Sequence, residues 1–426
     1  MTESVSQRRV NVDALRLRLR QIGSAPRTAP AQPQPVRSPT PLAECVGGEE
    51  VDGCHVITVR YGATHEHAGL ALRSLWECDG RTVATLAKDT GLEGFDFRRT
   101  LFLDTETNGL AGGAGTYAFL VGVAYWDEEG FHVQQLFMRH PGEEGALLAA
   151  LSPLLDRFDS FVTFNGKSFD LPVLETRYIL ARQARALKAR PHLDLLHPAR
   201  RLWKLRLEAC NLGTLEQRIL GTMRDESDVP GWMVPRLYND YLRDGNPYPL
   251  KGVFYHNHQD LLALAALALH MLRICADPEE HSAPHGQDYF SLARLYEDCG
   301  EWAQAERCYR RAITAPMPNS LRGECVRRLS FLLKKQGRWD EATVLWRSML
   351  GRGELYPYEE LAKYHEHQSR DLPAAERAVL AAFAAARDRK VSLSPGDSSD
   401  LRHRLERIRG KLARRDGVQP GVQTPG

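Results

Sequence analysis

The sequence predicts a mixed α/β sheet domain followed by an all-α array of helix hairpins, and three observations predict it. Between residues 101 and 187 the hydrophobic pattern gives three strands, a helix, a strand and a helix, the order of a mixed sheet with helices packed on it. Beyond residue 287 the chain repeats itself. Trp302, Ala305 and Tyr309 after Gly300 recur as Trp339, Ala342 and Trp346 after Gly337, at a period near the ~34 residues of a stacking helix pair. Finally, Leu101-Phe102-Leu103 runs straight into Asp104-Thr105-Glu106. An apolar strand thus ends in two carboxylates on one face, with Thr105 on the other.

With 426 residues, 43% of them hydrophobic and 26% charged, the chain is long enough for two or three domains with a large core. The formal net charge of +2 excludes nucleic-acid affinity from global charge and leaves it to local patches. No uninterrupted apolar run reaches the ~20 residues of a membrane span. Residues 1–20 are polar and Arg-rich, without the apolar middle of a secretory signal. The eight cysteines form no Cys-x-x-Cys pair, which suits a reducing cytoplasm.

In chain order, residues 11–22 suggest a short basic helix. Residues 24–41 carry six prolines and read as an extended linker, so residues 1–44 are expected to be a disordered segment. A small module at 45–99 follows, with a strand at 56–59 and a short apolar segment at 68–76. Its Cys54, His55, His65, His67 and Cys78 offer zinc ligands, but at a spacing that matches no zinc pattern. The α/β block at 100–280 has strands at 101–103, 117–126, 131–138 and 160–164. The second and third of these form a hairpin across Asp127-Glu128-Glu129-Gly130. Helices are expected at 143–157, 170–187, 210–220, 235–243 and 255–275. Repeats fill 285–415. Their last helix, 400–415, sets Leu401, Leu405, Ile408 and Leu412 on one face and seven basic residues on the other. Residues 416–426 read as a disordered tail.

Two further acidic residues stand where elements begin. Asp170 lies where the strand at 160–164 yields to a helix; alone it reads as a helix cap. Asp260 stands four residues after His256, on the same helix face; alone the pair reads as a surface contact. Together with Asp104 and Glu106 they make a composite set. Asp-x-Glu, Asn165-x4-Asp170 and a His or aromatic residue ahead of Asp260 resemble the three motifs of the DnaQ-like, ribonuclease-H-like exonucleases. The match widens over residues 103–122, 163–174, 192–201, 211–220, 229–241 and 256–264 to the bacterial YprB-type ribonuclease-H-like proteins, some of which also carry tetratricopeptide repeats. The resemblance implies a ribonuclease-H-like domain, a DEDD-type 3′→5′ exonuclease, and metal ligation by Asp104, Glu106, Asp170 and Asp260. In the superfamily the third motif has His five residues before the Asp or Tyr four before it. Here Tyr255 is five before and His256 four before. Either could reach the site; the i, i+4 geometry favours His256 as the group that orients or deprotonates water.

Four carboxylates suit two Mg²⁺ or Mn²⁺ ions about 3.5–4 Å apart, in two-metal phosphodiester hydrolysis. The glycine-rich stretch 109–116 lacks the Lys-Ser/Thr ending of a nucleotide-binding loop. It fits equally a hairpin connection or close approach of a nucleic-acid strand. Residues 177–206 hold nine basic residues with Tyr178 and Trp203 interleaved. That suggests a single-strand track through Arg200, Arg201, Trp203 and Lys204, with Asn165 and Lys167 nearby, although a solvated face gives the same pattern. Asp194 reads either as a fifth acidic neighbour or as structural. The expectation is a cytoplasmic metal-dependent nuclease acting on DNA or RNA, with repeats that recruit a protein partner. The rival is a non-catalytic nucleic-acid-binding adaptor.

Overall fold

The computed structural model describes residues 41–109, 115–281 and 285–415. The expected N-terminal helix and linker, most of the glycine-rich stretch and the C-terminal tail lie outside them. Nine strands are described: β1 (Glu49–Val51), β2 (Cys54–Tyr61), β3 (Glu66–His67), β4 (Leu70–Ala71), β5 (Thr100–Thr107), β6 (Ala118–Trp126), β7 (Phe131–Phe137), β8 (Ser160–Thr163) and β9 (His192–Asp194). Seven of them make one sheet in the order β1-β2-β7-β6-β5-β8-β9, while β3 and β4 form a small separate hairpin. From β1 to β5 the neighbours are antiparallel; β8 and β9 then add in parallel to β5. Residues 49–61 therefore belong to the same sheet as the block that follows them.

β5 is central, with partners on both edges, and its first four residues are buried. Its side chains alternate. Phe102 packs with Ala124, Val162 and Leu193, whereas Leu101 and Leu103 pack with Val121, Phe161 and Leu147. Helices Glu144–Arg157 and Asp170–Leu180 cover the second face. Most of the helix Leu250–Ala276 covers the first. The hairpin of β6 and β7 closes over Asp127, whose Oδ1 accepts from the Glu129 amide at 2.8 Å.

The main differences from the expected elements lie at helix ends. The helix expected over 170–187 stops at Leu180, because Arg182 turns into the left-handed region at φ 59°. The long helix starts at Leu250 rather than 255, directly after Pro249, whose fixed φ suits a helix start. The expected helix 210–220 is a short turn, Leu212–Leu215, followed by a π turn, Glu216–Leu220. By length and mean hydropathy (1.4) Leu250–Ala276 would pass for a membrane span, but 78% of its apolar window is buried inside the protein. It is a core helix.

From Gly286 onward the chain is helical: Gly286–Asp298, Trp302–Thr314, Asn319–Lys335, Trp339–Ser348, Tyr356–His367, Leu372–Arg387 and Pro395–Arg415. Four of the repeated residues lie in its core: Ala305, Tyr309, Ala342 and Trp346 are fully buried, whereas Trp302 is exposed. Gly300 (φ 79°) and Gly337 (φ 75°) precede the second helices of successive hairpins, a left-handed turn that an L side chain resists. The first hairpin shares the core of the α/β domain, where Leu202, Leu267 and Tyr296 fall in one apolar cluster. Arg206 there forms a double hydrogen bond to Asp288 of the first repeat helix, at 2.8 to 3.1 Å. On the last helix, Arg404, Arg407 and Lys411 converge on Glu366, so part of its basic face is used internally.

Candidate active site

The open end of β5 carries the first two carboxylates, and a bulge at Glu106/Thr107 breaks its register with β6 there. Such bulges re-aim side chains. Asp170 opens its helix beside β5, and its Oδ1 accepts a hydrogen bond from the Thr105 hydroxyl at 2.6 Å. Thr105, on the opposite face from the two acids, thus ties the second carboxylate position to the first strand. Asp260 and His256 come from the second and third turns of the long helix, with His256 Nε2 3.5 Å from Asp260 Oδ2. Ligand atoms of Glu106, His256 and Asp260 all lie within 4.8 Å of one another. The structure thus brings the five expected residues together.

Their electrostatics follow from crowding. Burial pushes the Asp104 carboxyl well above its ordinary range, and Asp260 and Asp170 push it further; the Asn257 amide opposes them. Glu106 is raised by burial and then by Asp104, Asp260 and Asp170. Burial lifts Asp170 to about 6 against the Thr105 hydrogen bond. No described residue donates a hydrogen bond to the Glu106 carboxylate. Closely spaced carboxylates with too few donors are what a divalent cation relieves, so the donor set fits a hard, oxygen-preferring ion.

Several supporting residues carried no signal of their own in the sequence. Asn257, fully buried, donates from Nδ2 to Asp104 Oδ2 at 2.8 Å; Gln135 Nε2 holds Asn257 Oδ1 at 2.9 Å. The helix approaches the sheet this closely because residue 122 is glycine: a Cβ there would stand 2.2 Å from Asn257 Oδ1. Arg224, in the loop after the π turn, donates to Asp260 and to the buried Glu216, the latter also through Nε at 3.0 Å. Burial opposes its charge, and Asp260 and Glu216 outweigh that. His256 Nδ1 lies 2.8 Å from Asp228 Oδ1 and 3.1 Å from Arg224 Nη1. Tyr255 points elsewhere: its hydroxyl accepts from the Asp225 amide at 3.2 Å.

Asp194 holds a loop and is also a charged neighbour of Asp170, whose carboxyl it pushes up. Its oxygens accept from the amides of Asn165 (2.7 Å), Lys167 (3.0 Å) and Leu196 (3.1 Å), which pins the loop ahead of Asp170. Asn165 sits in that loop at φ 70°, and Lys167 is exposed beside it. The basic run does not form a continuous exposed track. Trp203 is 2% exposed and stacks on His270, so its faces are closed to a base. Tyr178 is likewise buried. Arg201 donates to the carbonyls of Leu86 (2.6 Å) and Ala87 (3.3 Å), Arg185 pairs with Asp156, and Lys204 reaches the Glu208 carbonyl at 2.6 Å. Arg200 stays exposed. The five zinc-type residues at 54–78 are not gathered either: Cys54 and Cys78 donate to the Phe137 and Ser74 carbonyls, and His55 Nε2 lies 2.9 Å from the Gly47 carbonyl.

A five-strand antiparallel run extended by parallel strands, with carboxylates at the end of its central strand, defines a class, and comparison with known proteins agrees. The model of the RNase H superfamily matches residues 101–272, and that of the tetratricopeptide repeat matches residues 289–322. The chain belongs to the RNase H superfamily. In particular it is similar to "Uncharacterized protein YprB" of Bacillus subtilis (strain 168). The two are 34% identical over 375 residues, which span 85% of this chain and 87% of the relative. Among solved structures, a family B DNA polymerase from the archaeon Pyrobaculum calidifontis aligns with 47% of this chain at 15% identity and a TM-score of 0.30. The chain spans 29% of that polymerase.

Proposed function

We propose that this protein is a metal-dependent nuclease, a DEDD-type 3′→5′ exonuclease that hydrolyses phosphodiester bonds of nucleic acid in the cytoplasm. The observation that carries the reading is the convergence of Asp104, Glu106, Asp170 and Asp260: burial and neighbouring acids raise the Asp104 and Glu106 carboxyls, burial raises that of Asp170, and among the described residues none donates to Glu106. These four would hold Mg²⁺ or Mn²⁺, two ions in all. When bound, the ions supply charge neutralisation at the scissile phosphate and make water more acidic. The chain's own residues do the rest. Asn257 fixes the Asp104 carboxylate and Thr105 that of Asp170. In the tautomer in which His256 Nδ1 donates to Asp228, Nε2 is left to take a proton from the attacking water. Arg224 offsets the charge of Asp260 and Glu216 on the far side. The tetratricopeptide helices, whose relatives stack into extended concave surfaces, are the proposed site for a protein partner.

The test is hydrolysis of oligonucleotides labelled at either end, with Mg²⁺ or Mn²⁺, by wild type and Asp260→Asn. The proposal expects stepwise shortening from the 3′ end in wild type, lost in the variant and in chelator. Absence of metal-dependent cleavage of DNA and RNA, single- and double-stranded, would leave the adaptor reading in its place.

A further inference from the structure

We infer that Trp232 and Met223 form a stacking shelf for unpaired bases of a single-stranded nucleic acid, at the mouth of the cleft that leads to His256 and Asp260. This deepens the nuclease reading and rests on it for the class of ligand. Trp232 is 75% exposed and Met223 82%, more than any other large apolar side chain described. An indole this exposed adds little to the apolar core. Met223 lies in the wall of one cleft, and Trp232 directly follows Gly231 of the same wall. Met223, Pro230 and Gly231 line a cleft of about 490 Å³ whose inner wall is Arg224, His256 and Asp260, a volume within the roughly 300–1,000 Å³ of small-ligand sites. Gly231, next to Trp232, lies against the imidazole: a Cβ built on it would stand 3.6 Å from His256 Nε2. Trp232 is thus one residue removed from the wall that holds His256.

The charges select the moiety. The cleft carries Glu216, Asp228 and Asp260, and Arg224, its one buried cation among the described residues, is already engaged with these acids. A phosphate would meet net negative charge here. An uncharged, planar, polarisable group would not, and both an indole and a thioether favour one. Sequence-tolerant stacking on aromatic side chains is how single strands are held without base readout. The expected track through Trp203 cannot supply it, since that ring is buried. The strand's bases would therefore run along 223–232 while its backbone turns toward the carboxylates.

The experiment uses the full chain carrying Asp104→Asn to suppress cutting. A labelled oligothymidylate of roughly 12 nucleotides, within the ~4–16-nucleotide span of single-strand sites, is compared with an abasic strand of equal length. Trp232→Ala is expected to weaken binding of the oligothymidylate about 5- to 100-fold and to leave the abasic strand unchanged. Trp232→Phe is expected to restore most of the difference, and the strand to quench Trp232 fluorescence. Equal binding by Trp232→Ala and its parent, equal losses for both strands, or no oligothymidylate binding at all would overturn the shelf. So would a change in oligomeric state as the only effect of Trp232→Ala, which would make the face a protein contact. Binding and quenching without any metal-dependent hydrolysis by wild type would remove the nuclease reading and leave the shelf. Hydrolysis unaltered by Trp232→Ala would do the reverse.

Discussion

Asp170 shows what burial does to a single carboxylate of the candidate site. Its carboxyl titrates at about 6 in the fold against an ordinary 3.8, raised by burial. A raised carboxylate pKa destabilises the folded state. The penalty is absent below the unfolded value of 3.8, grows between there and about 6, and is complete above. At roughly 1.4 kcal/mol per unit the full cost is of order 3 kcal/mol. Asp170→Asn is therefore expected to raise the melting temperature of chelator-treated protein at pH 7–8 and to leave it unchanged near pH 4. With Mn²⁺ present the order should invert, because the ion favours the carboxylate. Thermal melts across pH with and without metal check this; a variant equally stable to wild type at every pH would mean that the site carries no such strain. The acids themselves were legible in the sequence because Asp-x-Glu on a strand and His-x3-Asp on a helix each fix a face. Arg224 and Asp228 were not: they sit in irregular chain between two helices, where spacing fixes no direction, and Glu216 lies in a π turn whose facing the ordinary helical spacing does not give. Asn257 was hidden for another reason. Its role depends on Gly122, in a different strand, having no side chain.

At the scale of elements, the long helix decides which neighbour serves as base. It begins at Leu250, so Tyr255 and His256 both lie inside it and differ by about 100° of helical rotation. His256 turns to Asp260 and Tyr255 to the Asp225 amide. His256→Ala is accordingly expected to lower the turnover rate about 10²–10⁴-fold, the usual worth of a positioned acid–base group, with metal binding retained. Tyr255→Phe should be mild. Rates for both variants at saturating Mg²⁺ separate the two; a severe Tyr255→Phe with a mild His256→Ala would reverse the assignment. The strands and most helices could be read from periodicity, since burial on both faces makes β6, β8 and the first half of β5 apolar runs. The boundaries that escaped are local backbone events: a left-handed Arg182, a start at Pro249 and a π turn at Glu216–Leu220. None of them alters the hydrophobic pattern.

For the molecule as a whole, two parts that read separately in the sequence share one core. Repeats and sheet have different periods, so the sequence divides them; the contact between them is made of residues that each pattern assigns to its own interior. Arg206 and Asp288 mark the seam. Burial raises the Asp288 carboxyl, and Arg206 holds it down. Arg206→Ala would leave a buried carboxylate unpaired, at a cost of roughly 3–5 kcal/mol. The wild-type α/β domain and first hairpin are expected to unfold in one transition, with Arg206→Ala shifting its urea midpoint downward. Two resolved wild-type transitions, with the variant affecting neither, would show that the parts fold independently.

Calorimetric titration of Mn²⁺ into the full chain at pH 7.5 and into Asp104→Asn tests the four-carboxylate centre most directly. Saturable binding of two ions is expected in wild type, with loss of at least one in the variant and no change in its metal-free fold by circular dichroism. Identical isotherms for the two proteins would contradict a metal centre built on Asp104.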